Sequence, residues 1–146
     1  MNSQRDAYDE LCLYTLAHSG PTFIHQHVVD AFAAQDATST DKPIRLVFAL
    51  VGLFLHVERG FTGREVQLAH MQLGRRKQTW PMLPLPQVRW KMTAATVLAA
   101  PLEEREQAIH DWCVAVWTAF VDCRGPVEKL LAENGVNAAW SVRQNR

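Results

Sequence analysis

The stretch IRLVFALVGLFL, residues 44–55, is the longest apolar run in the chain and indicates its central helix. A helix that spans a bilayer needs about 20 consecutive apolar residues, whereas this run is shorter and is interrupted by Arg45. We therefore predict a helix buried in a protein core and no membrane span. The rest of the chain repeats apolar residues at helical spacing and lacks strand-like alternation, so we predict an all-α fold.

Start and stop signals flank this helix on both sides. Pro43 suits a first helical turn with Asp41 just ahead of it, and Gly60 suits the position after the last turn. Thr62 and Glu65 have the spacing of a capping box, which starts the next helix. We predict a compact bundle of about five to six helices. The predicted helices cover residues 5–17, a second segment to about 36, then 43–59, 63–77, 93–99 and 101–123, and a last helix that follows a break at Gly125-Pro126 and ends at Gly135.

The segment WPMLPLP, residues 80–86, interrupts the helical pattern between the predicted fourth and fifth helices. Its prolines lack a backbone donor and hold the residues before them extended. The segment could be a polyproline ligand for a partner protein. Its apolar residues favour instead a strap that packs over the bundle.

Length and composition fit one domain over residues 1–146, because a hydrophobic content of 48% is enough for a sizeable core. We predict a disordered tail over residues 138–146. Fifteen basic residues balance fifteen acidic ones, so we expect binding to neither nucleic acid nor an anionic membrane. The basic cluster Arg75, Arg76 and Lys77 is expected to be the solvated end of a helix.

The amino terminus, MNSQRDAYDE, lacks the apolar stretch and cleavage site of a signal peptide, which predicts a cytoplasmic protein. Cys12, Cys113 and Cys123 lie far apart and form no C-x-x-C pair. Their spacing argues against a disulfide framework and against a closed zinc site, and we expect reduced thiols.

The segment FIHQHVVDAFAAQ, residues 23–35, places polar side chains within a stretch that otherwise resembles a buried helix. Burial of polar groups costs free energy unless each group has a partner, so a site is expected here. Helical geometry puts His27 and Asp30 on one face and His25 on nearly the opposite face. The two histidines therefore cannot bind one metal ion.

Two further histidines could join that face. If the second, third and fourth helices are antiparallel neighbours, His27, Asp30, His56 and His70 could converge in one polar pocket. Imidazole and carboxylate ligands from facing helices would suit zinc, iron or manganese. Without a metal, His27 and Asp30 could act on a small molecule as a catalytic acid–base pair.

The alternative is an interaction module without catalysis, in which the histidines are buried and hydrogen-bonded. The apolar third helix or the strap over residues 80–86 would then form a homodimer contact. The small residue Gly52 fits either hypothesis, because it lets a neighbouring helix or a ligand approach closely. Glu106 and His110 lie one helical turn apart, a spacing that is common on solvated surfaces.

The segments FIHQHVVDAFAAQ, KPIRLVFALVGLFLHVERGFTGREVQLAHMQL and WCVAVWTAF together resemble a family of small bacterial proteins known as a domain of unknown function. The resemblance covers about residues 8–131 and depends chiefly on the pattern H-x-x-D-A-x-x-A-Q, residues 27–35. It implies a shared helical fold and a shared polar cluster but no reaction. Wider relatives carry a Cys-Pro-x-Cys knuckle and a pair of histidines, where this chain has only Cys12 and Asp122-Cys123.

Overall fold

The structure is a computed structural model that describes residues 3–18 and 20–139. These residues form seven α-helices and no strand, which confirms the predicted all-α fold. The helices are α1 (Ser3–Ala17), α2 (His25–Gln35), α3 (Pro43–Arg59), α4 (Gly63–Leu73), α5 (Ala94–Ala99), α6 (Arg105–Ala119) and α7 (Arg124–Glu133).

Helix α3 is the centre of the bundle, as its apolar sequence predicts. All its residues from Leu46 to Leu55 except Phe48 are buried. Helices α2, α4, α6 and α7 pack around it. This apolar surface is therefore covered by other helices of the same chain. Within the described ranges, no helix combines the length and the apolarity that crossing a membrane would require.

The predicted end of α3 and the predicted start of α4 are confirmed, whereas α4 ends at Leu73 and not at about residue 77. Gly60 ends α3 with a φ of 69°, a left-handed conformation that glycine adopts without a steric penalty. Thr62 and Glu65 form the predicted capping box at the start of α4. Asp41, in contrast, does not cap α3: its carboxylate accepts hydrogen bonds from the Thr38 backbone and from Arg45.

The predicted long helix over residues 101–123 is wrong, because the chain leaves α-helical geometry twice in this range. A 3₁₀ turn (Leu102–Glu104) precedes α6, and a second one (Val121–Cys123) separates α6 from α7. Gly125 and Pro126 therefore lie in the first turn of α7 rather than at a break. Proline is tolerated there because the first backbone N–H groups of a helix have no intrahelical acceptor. The seven helices correspond one by one to the seven predicted segments, although the predicted total was about five to six.

Residues 74–93 connect α4 to α5 without a helix and contain the predicted strap. Trp80, Leu83 and Trp90 pack against the core, and the ring of Trp80 meets that of Phe48 edge-on at 5.2 Å. Met82 is 69% exposed on the other side. Packing over the bundle is thereby confirmed. Of the predicted tail, residues 140–146 lie outside the described residues.

Candidate functional site

Two short turns bring the start of α2 close to the start of α4. Phe23 adopts a φ of 51°, so α2 begins only at His25, two residues later than the sequence pattern indicates. The backbone N–H of Arg64 donates to the Thr22 carbonyl at 2.9 Å. A Cβ at Gly63 would overlap with the Phe23 carbonyl, so only glycine allows this close approach.

Three histidines from three helices meet behind these turns; we call His27, His56 and His110 the imidazole cluster. The ring of His27 on α2 stacks on that of His56 on α3, with centroids 3.6 Å apart. Nδ1 of His110 on α6 lies 3.1 Å from Nε2 of His56. The cluster thus joins α6 to α2 and α3, which lie much earlier in the sequence.

The protons of the His56–His110 pair follow from their partners. Nδ1 of His56 lies 3.0 Å from the Phe61 carbonyl, which can only accept, so this nitrogen carries a proton. Neutral His56 then accepts at Nε2, and the donor must be Nδ1–H of His110. In neutral His110, Nε2 is therefore the unprotonated nitrogen.

Burial keeps two members of the cluster neutral. Burial, together with the nearby imidazoles of His56 and His110, holds the pKa of His27 well below its usual range. Burial also lowers the pKa of His56 to about 4, against the opposing effect of its bond to the Phe61 carbonyl. His27 is only 5% exposed, and its Nδ1 has no hydrogen-bond partner among the described residues.

A cavity of about 300 Å³ lies against the imidazole cluster. Its walls combine apolar side chains with the three histidines, and Glu106 and Gln107 are exposed at its edge. The other lining residues are Thr22, Ile24, Gly60, Phe61, Thr62 and Ile109. A cavity of this size is at the lower end of the range for small-molecule sites.

The structure does not bring the four predicted site residues into one pocket. His27 and His56 line the cavity just described, whereas Asp30 and His70 line a second cavity of about 360 Å³, beside Arg45. Nε2 of His70 donates to the Phe48 carbonyl at 2.7 Å. The two pairs of residues lie in different cavities because Asp30 is bonded to Gln26 and His70 to the Phe48 carbonyl, and neither is bonded to the imidazole cluster.

Asp30 is buried between α2 and α3. Oδ1 accepts a hydrogen bond from Gln26 at 3.1 Å, while Oδ2 lies against the Cα of Gly52 and has no hydrogen-bond partner among the described residues. Burial raises the pKa of Asp30 well above its usual range. Gly52 therefore admits a side chain of the neighbouring helix, which is the packing alternative considered from the sequence.

This packing makes Gly52→Ala destabilising. A Cβ at Gly52 would overlap with the Asp30 carboxyl group, which is too short and too enclosed to move aside. We expect a loss of about 1–3 kcal/mol in the free energy of unfolding, measured by urea denaturation. Gly125→Ala is the matched control, because no atom lies within 4 Å of its Cβ position. Equal stability of the two variants would contradict this account.

His25 lies apart from the imidazole cluster, as helical geometry predicts. Its Nδ1 is 2.9 Å from the Thr15 hydroxyl on α1. Across residues 3–18 and 20–139, no group of three or more His, Cys, Asp or Glu side chains has an arrangement that could hold a metal ion. The three cysteines are free thiols, as predicted.

The sequence analysis missed His110 as a site residue. Its spacing from Glu106 was visible but is typical of exposed helix surfaces, and both residues line the cavity. The partner of His110 is His56, 54 positions away. Glu58, near the end of α3, accepts a hydrogen bond from Arg124 at 2.7 Å.

The chain belongs to the DUF5946 family of unknown function, whose sequence profile matches residues 5–121. The expected resemblance to a domain of unknown function is thereby confirmed. Every residue that lines the cavity beside the imidazole cluster falls within the matched range. Neither a curated protein nor a solved structure matches the chain.

Proposed function

We propose that this DUF5946 chain binds a small molecule beside the imidazole cluster and transfers a proton between that molecule and His110. The observation that carries the proposal is the order of hydrogen bonds from the Phe61 carbonyl through His56 to His110. This order leaves Nε2 of His110 able to accept a proton. An imidazole oriented by a hydrogen bond at its other nitrogen is a common general base.

His56 orients His110 rather than relaying its proton. With a pKa of about 4, His56 does not take up a proton at neutral pH. When His110 is protonated at Nε2, its Nδ1–H still donates to His56, and this bond becomes charge-assisted. The Phe61 carbonyl in turn orients the His56 ring through a hydrogen bond. The orientation of the His110 ring therefore depends on a main-chain atom as well as on the His56 side chain.

The cavity supports binding over a purely structural role for the cluster. His27, His56 and His110 all line it, so a molecule in the cavity would contact the imidazole rings. The interaction-module alternative gives this cavity no role.

A deuterium-exchange experiment tests the proposed function. A library of small polar metabolites is first screened by thermal shift against the wild-type protein. Each hit is then incubated with protein in D₂O, and deuterium uptake into its carbon-bound positions is followed by mass spectrometry. We expect His110→Ala to slow uptake by about 10²–10⁴-fold, the usual contribution of a general base.

The control is His18→Ala, which removes an exposed imidazole that follows the end of α1 and lies outside the cavity. This variant should exchange deuterium at the wild-type rate. Uptake that is equally fast in His110→Ala, or a screen in which no hit shows exchange above the rate without protein, would contradict the proposed function.

A further inference from the structure

We infer that the molecule bound beside the imidazole cluster is a small organic cation whose ammonium group pairs with Glu106. The inference rests on the acid–base site proposed above and names its substrate class. It depends on the residues that line the cavity and on the position of Glu106 relative to His110.

Among the described lining residues, Glu106 has the one carboxyl group, and none is an arginine or a lysine. The neighbouring Arg105 extends to the Leu98 carbonyl and lies over the Tyr14 ring at 4.6 Å. Arg59, the last residue of α3, donates to the Ala138 carbonyl instead of entering the cavity. The described lining therefore favours a cation over an anion.

Glu106 has no hydrogen bond or ion pair with the described part of the chain, so its carboxylate can pair with a ligand. It lies one turn before His110 on α6, a spacing that places two side chains on the same face with Cβ atoms about 5–6 Å apart. An ammonium group at Glu106 would therefore hold the atoms next to its nitrogen within reach of Nε2 of His110.

The remaining walls suit the hydrocarbon part of such a cation. Ile24, Phe61 and Ile109 provide apolar surface around the stacked imidazole rings. An anion would instead meet the Glu106 carboxyl group and find no arginine or lysine in the described lining, which makes phosphates and carboxylates poor ligands.

Three probes of nearly equal size and different charge test the inference: benzylammonium, benzyl alcohol and benzoate. Each is titrated at millimolar concentration into ¹⁵N-labelled protein, and shifts of amide resonances around the cavity are followed by NMR. We expect benzylammonium to bind most tightly and benzoate not to bind. Glu106→Gln should weaken benzylammonium about tenfold while leaving benzyl alcohol unchanged. Glu103→Gln is the control, because this exposed carboxylate on the 3₁₀ turn before α6 lies outside the cavity.

The outcomes separate this inference from the proposed function. The inference of a cationic ligand is overturned if benzoate binds at least as tightly as benzylammonium, or if Glu106→Gln leaves the affinity for benzylammonium unchanged. Neither result contradicts the acid–base site. Failure of all three probes to shift the resonances around the cavity also overturns the cationic ligand. The acid–base site is overturned only by the deuterium-exchange experiment.

Discussion

Acidification from pH 6.5 to about 4 is expected to destabilise the protein through His27 and His56, because both are buried in their neutral forms. The folded-state pKa of each is lowered, so the unfolded chain binds more protons across this range and stability increases with pH. The stabilisation is complete above pH 6.5 and is lost as the pH falls. For His56 alone, the fall from 6.5 to about 4 corresponds to about 3 kcal/mol.

Urea denaturation at a series of pH values measures this effect. The buried carboxyl of Asp30 works in the opposite direction, because its raised pKa favours the folded state in acid. A comparison with His56→Gln therefore isolates the histidine, and its stability should vary less with pH than that of the wild type. Leu11→Ala, which empties a buried position without removing a titratable group, should keep the wild-type pH dependence. A wild-type slope in His56→Gln would contradict the assignment.

Local sequence signals were enough to predict most of the helices. The apolar run of α3, the capping box at Thr62 and the glycine at residue 60 each act through neighbouring residues, so their effects can be read directly. The break before α7 could not be predicted in this way. Gly125-Pro126 is a strong helix-breaking pair, yet the same pair is also compatible with a first helical turn, and tertiary packing decided between the two.

The candidate site was predictable only in part, because it depends on contacts between distant segments. Helical geometry correctly separated His25 from His27, and it identified Asp30 as a buried polar residue. It could not tell whether Gly52 would face a ligand or the Asp30 carboxyl group. Nor could it distinguish His110 on α6, which contacts His56 on α3, from any other histidine on a partly exposed helix face.

Trp112→Ala is expected to cost about 3–5 kcal/mol in the free energy of unfolding, the range for removing a buried aromatic side chain. Trp112 is 0% exposed at the junction of α2 and α6. Its indole N–H donates to Gln35 at 3.1 Å, and Gln35 donates in turn to the Met92 carbonyl at 2.8 Å. The substitution thus removes core volume and also one bond of a chain that joins α6, α2 and the segment before α5.

Trp112→Phe separates the two contributions. The smaller ring keeps most of the core filled but leaves the Gln35 side-chain oxygen without its donor, at a cost of about 1–3 kcal/mol. Guanidinium denaturation followed by far-UV circular dichroism measures both variants. If Trp112→Ala is no less stable than Trp112→Phe, volume is not what Trp112 contributes, and the packing of α6 against α2 must be maintained by other side chains.

The close contact between Phe23 and Gly63 has a consequence for how the cavity could be redesigned. One side of the cavity is built from two turns that touch through main-chain atoms, and the N–H of Arg64 joins them. The outline of this side is therefore independent of the side chain at Thr22, which lines it. Ligand preference could be altered at residue 22 without changing the shape of the cavity, whereas any side chain at residue 63 would force the two turns apart.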